Sequence, residues 1–248
     1  MTDVFDEKQA WFIPPGVNLA FSTRQGGISL PPFDSLNLGA HVGDNITCVN
    51  GNRQIILQRL NLPVAPAWLE QTHSINLVDA DNSKVHQADG SYCNNSNQVC
   101  VVMTADCLPI LLCDKNGTEV AAVHAGWRGL CDGIIEAAIN KFSHSPQEIV
   151  AYLGPAIGPR AFEVGSEVKQ QFEVKHPEAR HCFVPASEHL SHKYLADLQG
   201  LAKLRLAKAG VKTLFADTRC TVTDHESFFS YRRDGITGRM ASFIWLDA

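Results

Sequence analysis

The 248-residue chain lacks several features, and each absence closes off a class of function. No apolar run approaches the 18 or more residues that a membrane helix needs. The first residues, Met-Thr-Asp-Val-Phe-Asp-Glu-Lys, start acidic and have neither the basic beginning nor the apolar centre of a secretory signal, so a cytoplasmic location is expected. Basic residues are in deficit, 21 Lys and Arg against 26 Asp and Glu, and the net charge of −5 offers no footprint for nucleic acid or an anionic membrane. There is no Gly-x-Gly-x-x-Gly, no Walker loop, no His-Glu-x-x-His and no Gly-x-Ser-x-Gly. The ten histidines form no His-x-His, and the one close pair is His189 with His192, which argues against a multi-copper cluster built on such motifs. The eight cysteines, at 48, 93, 100, 107, 113, 131, 182 and 220, include no Cys-x-x-Cys, so a zinc ribbon fails on spacing. In a reducing compartment most are expected to be free thiols, with Cys100 and Cys113 as small core hydrophobes and Cys93 exposed in an Asn-rich stretch.

What is present is the material of one globular domain over residues 1–248. Hydrophobic residues make up 45% and charged residues 19%, and no repeat or low-complexity linker divides the chain. Helix signals occur at 46–60, capped by Asp44-Asn45 with Pro63 beyond; from Gly129 to Phe142; from Ser166 as N-cap to Lys175; and from Lys193 to Ala209, with Gly210 past its end. Strand-like runs fall at 17–22, 74–79, 98–104, 108–113, 118–124, 148–153, 211–216, 227–232 and 239–246. Hairpins dominate and helices do not alternate strictly with strands, so the expected class is α+β with a mixed or antiparallel sheet system.

The most informative segment runs from Ala105 to His124. Asn116-Gly117 between two apolar runs predicts a hairpin with a two-residue type I′ turn. Paired positions then sum to 233: Pro109 faces His124, Cys107 faces Gly126, and Cys107 and His124 are diagonal neighbours on one face, about 7–8 Å apart at Cα. That separation suits a shared metal ion or a thiolate–imidazolium pair. Two protein ligands do not complete a zinc site, and spacing leaves the third open among His73, His41 and His225. Asp106 alternates onto the opposite face.

Other groups carry a functional and a plainer reading. Gly126-Trp127-Arg128-Gly129 opens a helix whose first amides, with Arg128, suit an anion; equally, it is a tight turn with Trp127 in the core and Arg128 in water. Phe228 to Arg239 gathers Arg232, Arg233 and Arg239 beside aromatics, a place for an anionic group with Tyr231 stacking on a planar ring, or a solvated hairpin tip. Ser22 to Gly27 is a glycine turn able to form a weak anion nest.

In order along the chain stand Phe21-Ser22-Thr23-Arg24-Gln25-Gly26-Gly27, Leu36-Asn37-Leu38, His41-Val42-Gly43-Asp44, Asn52-Arg53, Trp68 with Gln71-Thr72-His73, Ala105-Asp106-Cys107-Leu108-Pro109, His124-Ala125-Gly126-Trp127-Arg128-Gly129, Gly154-Pro155-Ala156-Ile157 and Phe229-Ser230-Tyr231-Arg232-Arg233. This series resembles the YfiH-type laccase-domain family, also called multi-copper polyphenol oxidoreductases, over nearly the whole chain. The resemblance implies a zinc site of two histidines and one cysteine, falling on His73, Cys107 and His124, with copper as the other candidate metal. It implies a β-sandwich-like α+β core flanked by helices, similar to a Cys–His toxin deamidase.

It further implies purine nucleoside phosphorylase activity on adenosine, inosine, guanosine and methylthioadenosine, combined with adenosine deamination. Expected partners are therefore a small nucleoside and phosphate, with Arg128, Arg232, Arg233 and Arg53 as candidates for holding substrate or phosphate. Three protein ligands leave one metal position for water, as deamination needs. The alternatives are a Cys–His hydrolase or amidase with Cys107 as nucleophile, and a peptidoglycan-precursor editing factor. Phenol oxidation by copper ranks last on ligand supply.

Overall fold

The structure, a computed structural model, describes residues 11–187 and 192–247. Residues 1–10, on which the reading of the N-terminus rests, and His189 of the close histidine pair lie outside them. The strands are β1 (Val17–Phe21), β2 (Leu69–Glu70), β3 (Leu77–Asp79), β4 (His86–Gln87), β5 (Gly90–Cys93), β6 (Val99–Thr104), β7 (Leu108–Asp114), β8 (Val120–Ala125), β9 (Ile149–Leu153), β10 (Glu163–Gly165), β11 (Phe183–Pro185), β12 (Lys193–Ala196), β13 (Thr213–Ala216) and β14 (Met240–Leu246). The helices are α1 (Ile46–Arg59), α2 (Trp127–Asp132), α3 (Ile134–Ile139), α4 (Ser166–Lys175), α5 (Leu198–Ala209) and α6 (Tyr231–Asp234). This is the expected mixed α+β class. Among the described residues no helix is long and apolar enough to cross a membrane.

A six-stranded mixed sheet, ordered β13-β9-β7-β8-β5-β3, packs on a three-stranded antiparallel sheet, β1-β14-β6. The central strands β6, β7, β8, β9 and β14 are mostly apolar and buried at every position, because both of their faces are covered. Along β7, Leu108, Ile110 and Leu112 point to the helices α2, α3 and α5, while Leu111 and Cys113 point between the sheets. Along β14, Ile244 and Leu246 face that same intersheet layer, and Ala241, Phe243 and Trp245 face Ile56 of α1 on the outside. Period-two alternation thus sorts each strand between two cores.

The β7–β8 register is the expected one, with Pro109 opposite His124 and Cys113 opposite Val120. The turn is different. Pairing ends at Asp114 and Glu119, and of the turn residues only Gly117 has positive φ, +69°, so Asn116-Gly117 is not type I′, which needs both positive. The fully buried Asp114 carboxylate accepts the N–H groups of Asn116, Thr118 and Glu119 and shapes a four-residue loop instead. Two residues added symmetrically leave the sum, and hence the register, unchanged.

Helix α1 begins where expected, with Asn45 accepting from Thr47 N–H. The helix expected from Gly129 to Phe142 starts earlier, at Trp127, and is broken at Gly133, whose φ of +114° ends α2 and restarts the chain as α3. Gly165 rather than Ser166 precedes α4 as its N-cap. Lys193 to Ala209 is not one helix: residues 193–196 pair between β10 and β11, and Asp197 then caps α5 by accepting from Gly200 N–H. The strand expected at 227–232 is absent. Phe228 and Phe229 are both buried against Ala105 and Met240, which alternation forbids, and Ser230 caps α6. All eight cysteines are free, and Cys93 is buried rather than exposed.

Candidate metal centre

Beyond the last β7–β8 pair, Leu108 with Ala125, the two sheets part and a cavity of about 360 Å³ opens. Cys107 and His124 are on its floor with His73. By alternation Cys107, Pro109 and His124 take the intersheet face of the ladder, so two strands deliver a thiol and an imidazole to one spot.

His73 arrives on the loop after β2, and one carboxylate organises that loop. Asp89, fully buried just before β5, accepts the backbone N–H groups of Thr72 (3.1 Å), His73 (2.9 Å) and Ser74 (2.6 Å) and the Ser74 hydroxyl (2.7 Å). It also receives His124 Nδ1 at 2.8 Å. These bonds hold His73 at a φ of +62°, a left-handed conformation costly for a residue with a Cβ. Gln71 fastens the same loop to β6 by exchanging two hydrogen bonds with Met103. Glycine completes the approach: a Cβ on Gly126 would stand 2.7 Å from His73 Cδ2 and 3.2 Å from Cys107 Sγ.

The result is a compact donor set. Cys107 Sγ lies 3.8 Å from His73 Nε2, the two imidazole centroids are 4.8 Å apart at 74°, and the three ligand atoms fall within 4.8 Å of one another. Burial pushes the Cys107 thiol up, but the facing His124 and His73 outweigh it and lower the thiol to about 6. Burial alone lowers His124; the Cys107 thiolate and Asp89 outweigh that and raise it to about 9. Burial also works against the charged Asp89, and its bonds to His124 and Ser74 reverse this, holding it well below the carboxylate range. Chemically the line Asp89–His124–Cys107 is a stabilised thiolate–imidazolium pair.

The same residues fit a transition metal. A thiolate is available at neutral pH, and two imidazoles stand beside it. His124 directs Nδ1 to Asp89, which fixes the tautomer and turns Nε2 to the site, the usual carboxylate–histidine support of a metal ligand. His73 Nε2, Cys107 Sγ and His124 Nε2 are the atoms that would hold the ion, with the cavity side open. A methyl group at Gly126 presses on two of the three donors, so Gly126→Ala is expected to weaken zinc affinity at least about tenfold with little change in the melting temperature of the metal-free protein. Competition with a chromogenic chelator measures the first and thermal unfolding in excess chelator the second.

The other expected site residues go elsewhere. Of the three candidate third ligands, His41 lines the same cavity, whereas His225 is exposed in a separate depression with Arg24 and Asp34. Asp106 points away, its carboxylate accepting from Thr221 Oγ1 and Arg232 N–H. None of the four expected anion-binding arginines lines the cavity. Arg128 is exposed and lies over Trp127; Arg232 binds the carbonyls of Ala161 and Glu163; Arg233 binds Asp234 and the carbonyls of Thr221, Val222 and Phe228. Arg53 binds the Leu38 carbonyl and stacks on Trp68. The arginine that does face the cavity is Arg239. Gly129 meets Ser74 O rather than a ligand, and Gly27 packs on Ser35 O, so both glycine turns serve close chain packing. No motif or spacing in the sequence marks Asp89, whose partners are 15–35 residues away.

A family model described as multi-copper polyphenol oxidoreductase laccase matches residues 18–247. The chain is 53% identical over 238 residues to purine nucleoside phosphorylase YfiH of Escherichia coli (strain K12), covering 95% of this chain and 96% of that one. It is 46% identical over 238 residues to a Haemophilus influenzae purine nucleoside phosphorylase, covering 96% and 97%. Among solved structures, Neisseria meningitidis protein NMB0706 superposes with a TM-score of 0.91 at 48% identity, covering 95% of this chain and 96% of that one. Geobacillus stearothermophilus YlmD superposes with a TM-score of 0.82 at 32% identity, covering 94% and 93%.

Proposed function

The chain belongs to the multi-copper polyphenol oxidoreductase laccase family, and from that premise we propose that it is a zinc-dependent purine nucleoside phosphorylase with adenosine deaminase activity. Its substrates in this reading are adenosine, inosine, guanosine and methylthioadenosine, cleaved by phosphate. The observation that carries the proposal is the open set of His73, Cys107 and His124 on the floor of a cavity large enough for a nucleoside. Relatives that match along the whole chain bear the phosphorylase name.

Zinc bound there supplies Lewis-acid polarisation and lowers the pKa of water toward about 7. The chain's own residues do the rest. Asp89 holds the His124 ring and the His73 loop in place before substrate enters. Tyr231, 61% exposed at the cavity wall, offers a face for a planar purine. Met103 and Ala105 line another part of the wall and exclude water there. The cavity is lined by no carboxylate among the described residues, so proton transfer to a departing base or amine runs through solvent or histidine.

The soft donor set suits copper as well as zinc. Phenol oxidation nevertheless ranks last, because a single group of three donors approaches metal-binding distance among the described residues. The Asp89–His124–Cys107 line supports one second reading, a cysteine hydrolase with His124 as base. We place the enzyme in the cytoplasm as a single domain over residues 1–248, acting on small molecules.

Incubation of zinc-loaded protein with inosine and phosphate should yield hypoxanthine and ribose 1-phosphate in equal amounts, and adenosine should give adenine and inosine. Base release that ignores phosphate, or none at all, contradicts the phosphorylase reading. Hydrolytic turnover that survives full metal removal and ends on alkylation of Cys107 would establish the cysteine hydrolase instead.

A further inference from the structure

Among the described arginines, Arg239 alone lines the metal cavity, and its surroundings are built to hold it there. Its N–H donates to Asn37 Oδ1 at 2.9 Å and its carbonyl accepts from Leu38 N–H at 3.1 Å, which ties the start of β14 to the loop after β1. Its side chain lies across Gly39, where a Cβ would approach Arg239 Cγ to 2.8 Å. The guanidinium carbon is 5.9 Å from the Tyr231 ring centroid.

This cation has no carboxylate partner among the described residues. Its side-chain hydrogen bonds to them run from Nη1 to the carbonyls of Thr237 and Gly238, both 3.0 Å, and leave Nε and Nη2 for another acceptor. The acidic groups around it are Cys107, Asp106 and Tyr231, and the Asp106 carboxylate is already taken by Thr221 and Arg232. The more deeply buried Arg205, by contrast, pairs with Glu136 at 2.8 Å. Burial pushes the Arg239 guanidinium below its usual value. A half-buried cation with idle donors is costly unless an anion completes it.

His41 lines the same cavity, and burial, Arg239 and Arg53 lower its pKa, so it is a neutral imidazole with one N–H to give. Behind it, Arg53 donates through Nε (3.1 Å) and Nη2 (2.9 Å) to Leu38 O and stacks 3.9 Å over Trp68. That fixes the turn carrying Gly39 and His41. Arg53 therefore acts on the cavity through the backbone.

We propose that Arg239 and His41 form the subsite for inorganic phosphate, the attacking co-substrate, with Arg53 as a positioning residue; this rests on the phosphorylase reading above. Guanidinium pairs bidentately with a tetrahedral oxyanion, and Cys107 lines the same cavity. In the reaction an oxygen of HPO4²⁻ bonds to C1′ of the ribose as the C1′–N9 bond breaks. The electron pair stays on N9 of the purine, which takes up through solvent the proton that phosphate gives up. The products are the free base and ribose 1-phosphate.

Calorimetric titration of inorganic phosphate into zinc-loaded protein, paired with steady-state kinetics on inosine, tests this. Loss of charge-assisted hydrogen bonds predicts about 10- to 100-fold weaker phosphate binding in Arg239→Ala. The KM for phosphate should rise in parallel and the KM for inosine move less than threefold. Arg239→Lys should recover part of the affinity, which separates lost charge from a disturbed fold. Arg53→Met should raise the phosphate KM several-fold. Unchanged phosphate affinity in Arg239→Ala, or no phosphate binding by the parent protein, overturns the subsite. A parent protein that binds phosphate at Arg239 yet cleaves no nucleoside overturns the phosphorylase reading alone. Phosphate-dependent cleavage with the same phosphate KM in Arg239→Ala overturns the subsite alone.

Discussion

Cys107→Ala is expected to purify with less than about a tenth of a zinc per chain and to lose nucleoside turnover by about a thousandfold or more, the scale of removing a metal's electrostatic contribution. The thiolate is the one anionic ligand of the three, and the exposed His73 with the buried His124 do not retain zinc on their own. Cys107 sits immediately before the first residue of β7, half-buried, and its side chain is not part of either large apolar core. The fold should therefore survive. In excess chelator, variant and parent should melt together, and only the parent should be stabilised by added zinc, since a ligand that binds the native state alone raises its stability. Elemental analysis, thermal unfolding and the inosine assay read the three parts of this expectation separately. A variant that holds a full zinc, or turns over normally without it, would contradict the assignment of Cys107.

Asp89→Asn should act differently, because Asp89 supports the fold as well as the site. One carboxylate oxygen accepts His73 N–H and His124 Nδ1; the other accepts Thr72 N–H, Ser74 N–H and the Ser74 hydroxyl. An amide has a single oxygen, so its NH2 group must face donors on one side or the other, in a fully buried position. Breaking such a buried charged network costs about 3–5 kcal/mol, and loss of a carboxylate behind a histidine ligand weakens metal binding about 10- to 100-fold. Urea unfolding in chelator should show the stability loss without zinc, which Cys107→Ala should not. Equal unfolding midpoints for parent and Asp89→Asn in chelator would show that Asp89 does not organise the His73 loop.

How far these features were legible in the sequence depends on the range over which their physics acts. The pairing of Pro109 with His124 was readable because an apolar run, a turn and a second apolar run lie within about twenty residues, and strand parity is insensitive to two extra turn residues. Asp89 was invisible because its partners are 15–35 residues away and consist mainly of backbone N–H groups, which no spacing marks. The arginines show the same limit. Arg232 and Arg239 stand in one basic stretch, yet the first turns both its Nη1 and Nη2 to carbonyls away from the cavity, while the second gives carbonyls only Nη1 and lines the cavity. Only the fold of the 37–42 loop over Arg239 decides between them. At Lys193 to Ala209 the leucine spacing suited a helix throughout, and the pairing of β12 with two neighbouring strands overrode it for four residues.

The metal assignment is tested most directly by the anomalous signal at the zinc edge from crystals of protein purified without added metal, combined with elemental analysis of the same preparation. About one zinc per chain is expected, with a single strong peak bounded by His73 Nε2, Cys107 Sγ and His124 Nε2. Active protein that carries no transition metal, or a metal bound away from those three atoms while the nucleoside is still cleaved, would contradict it.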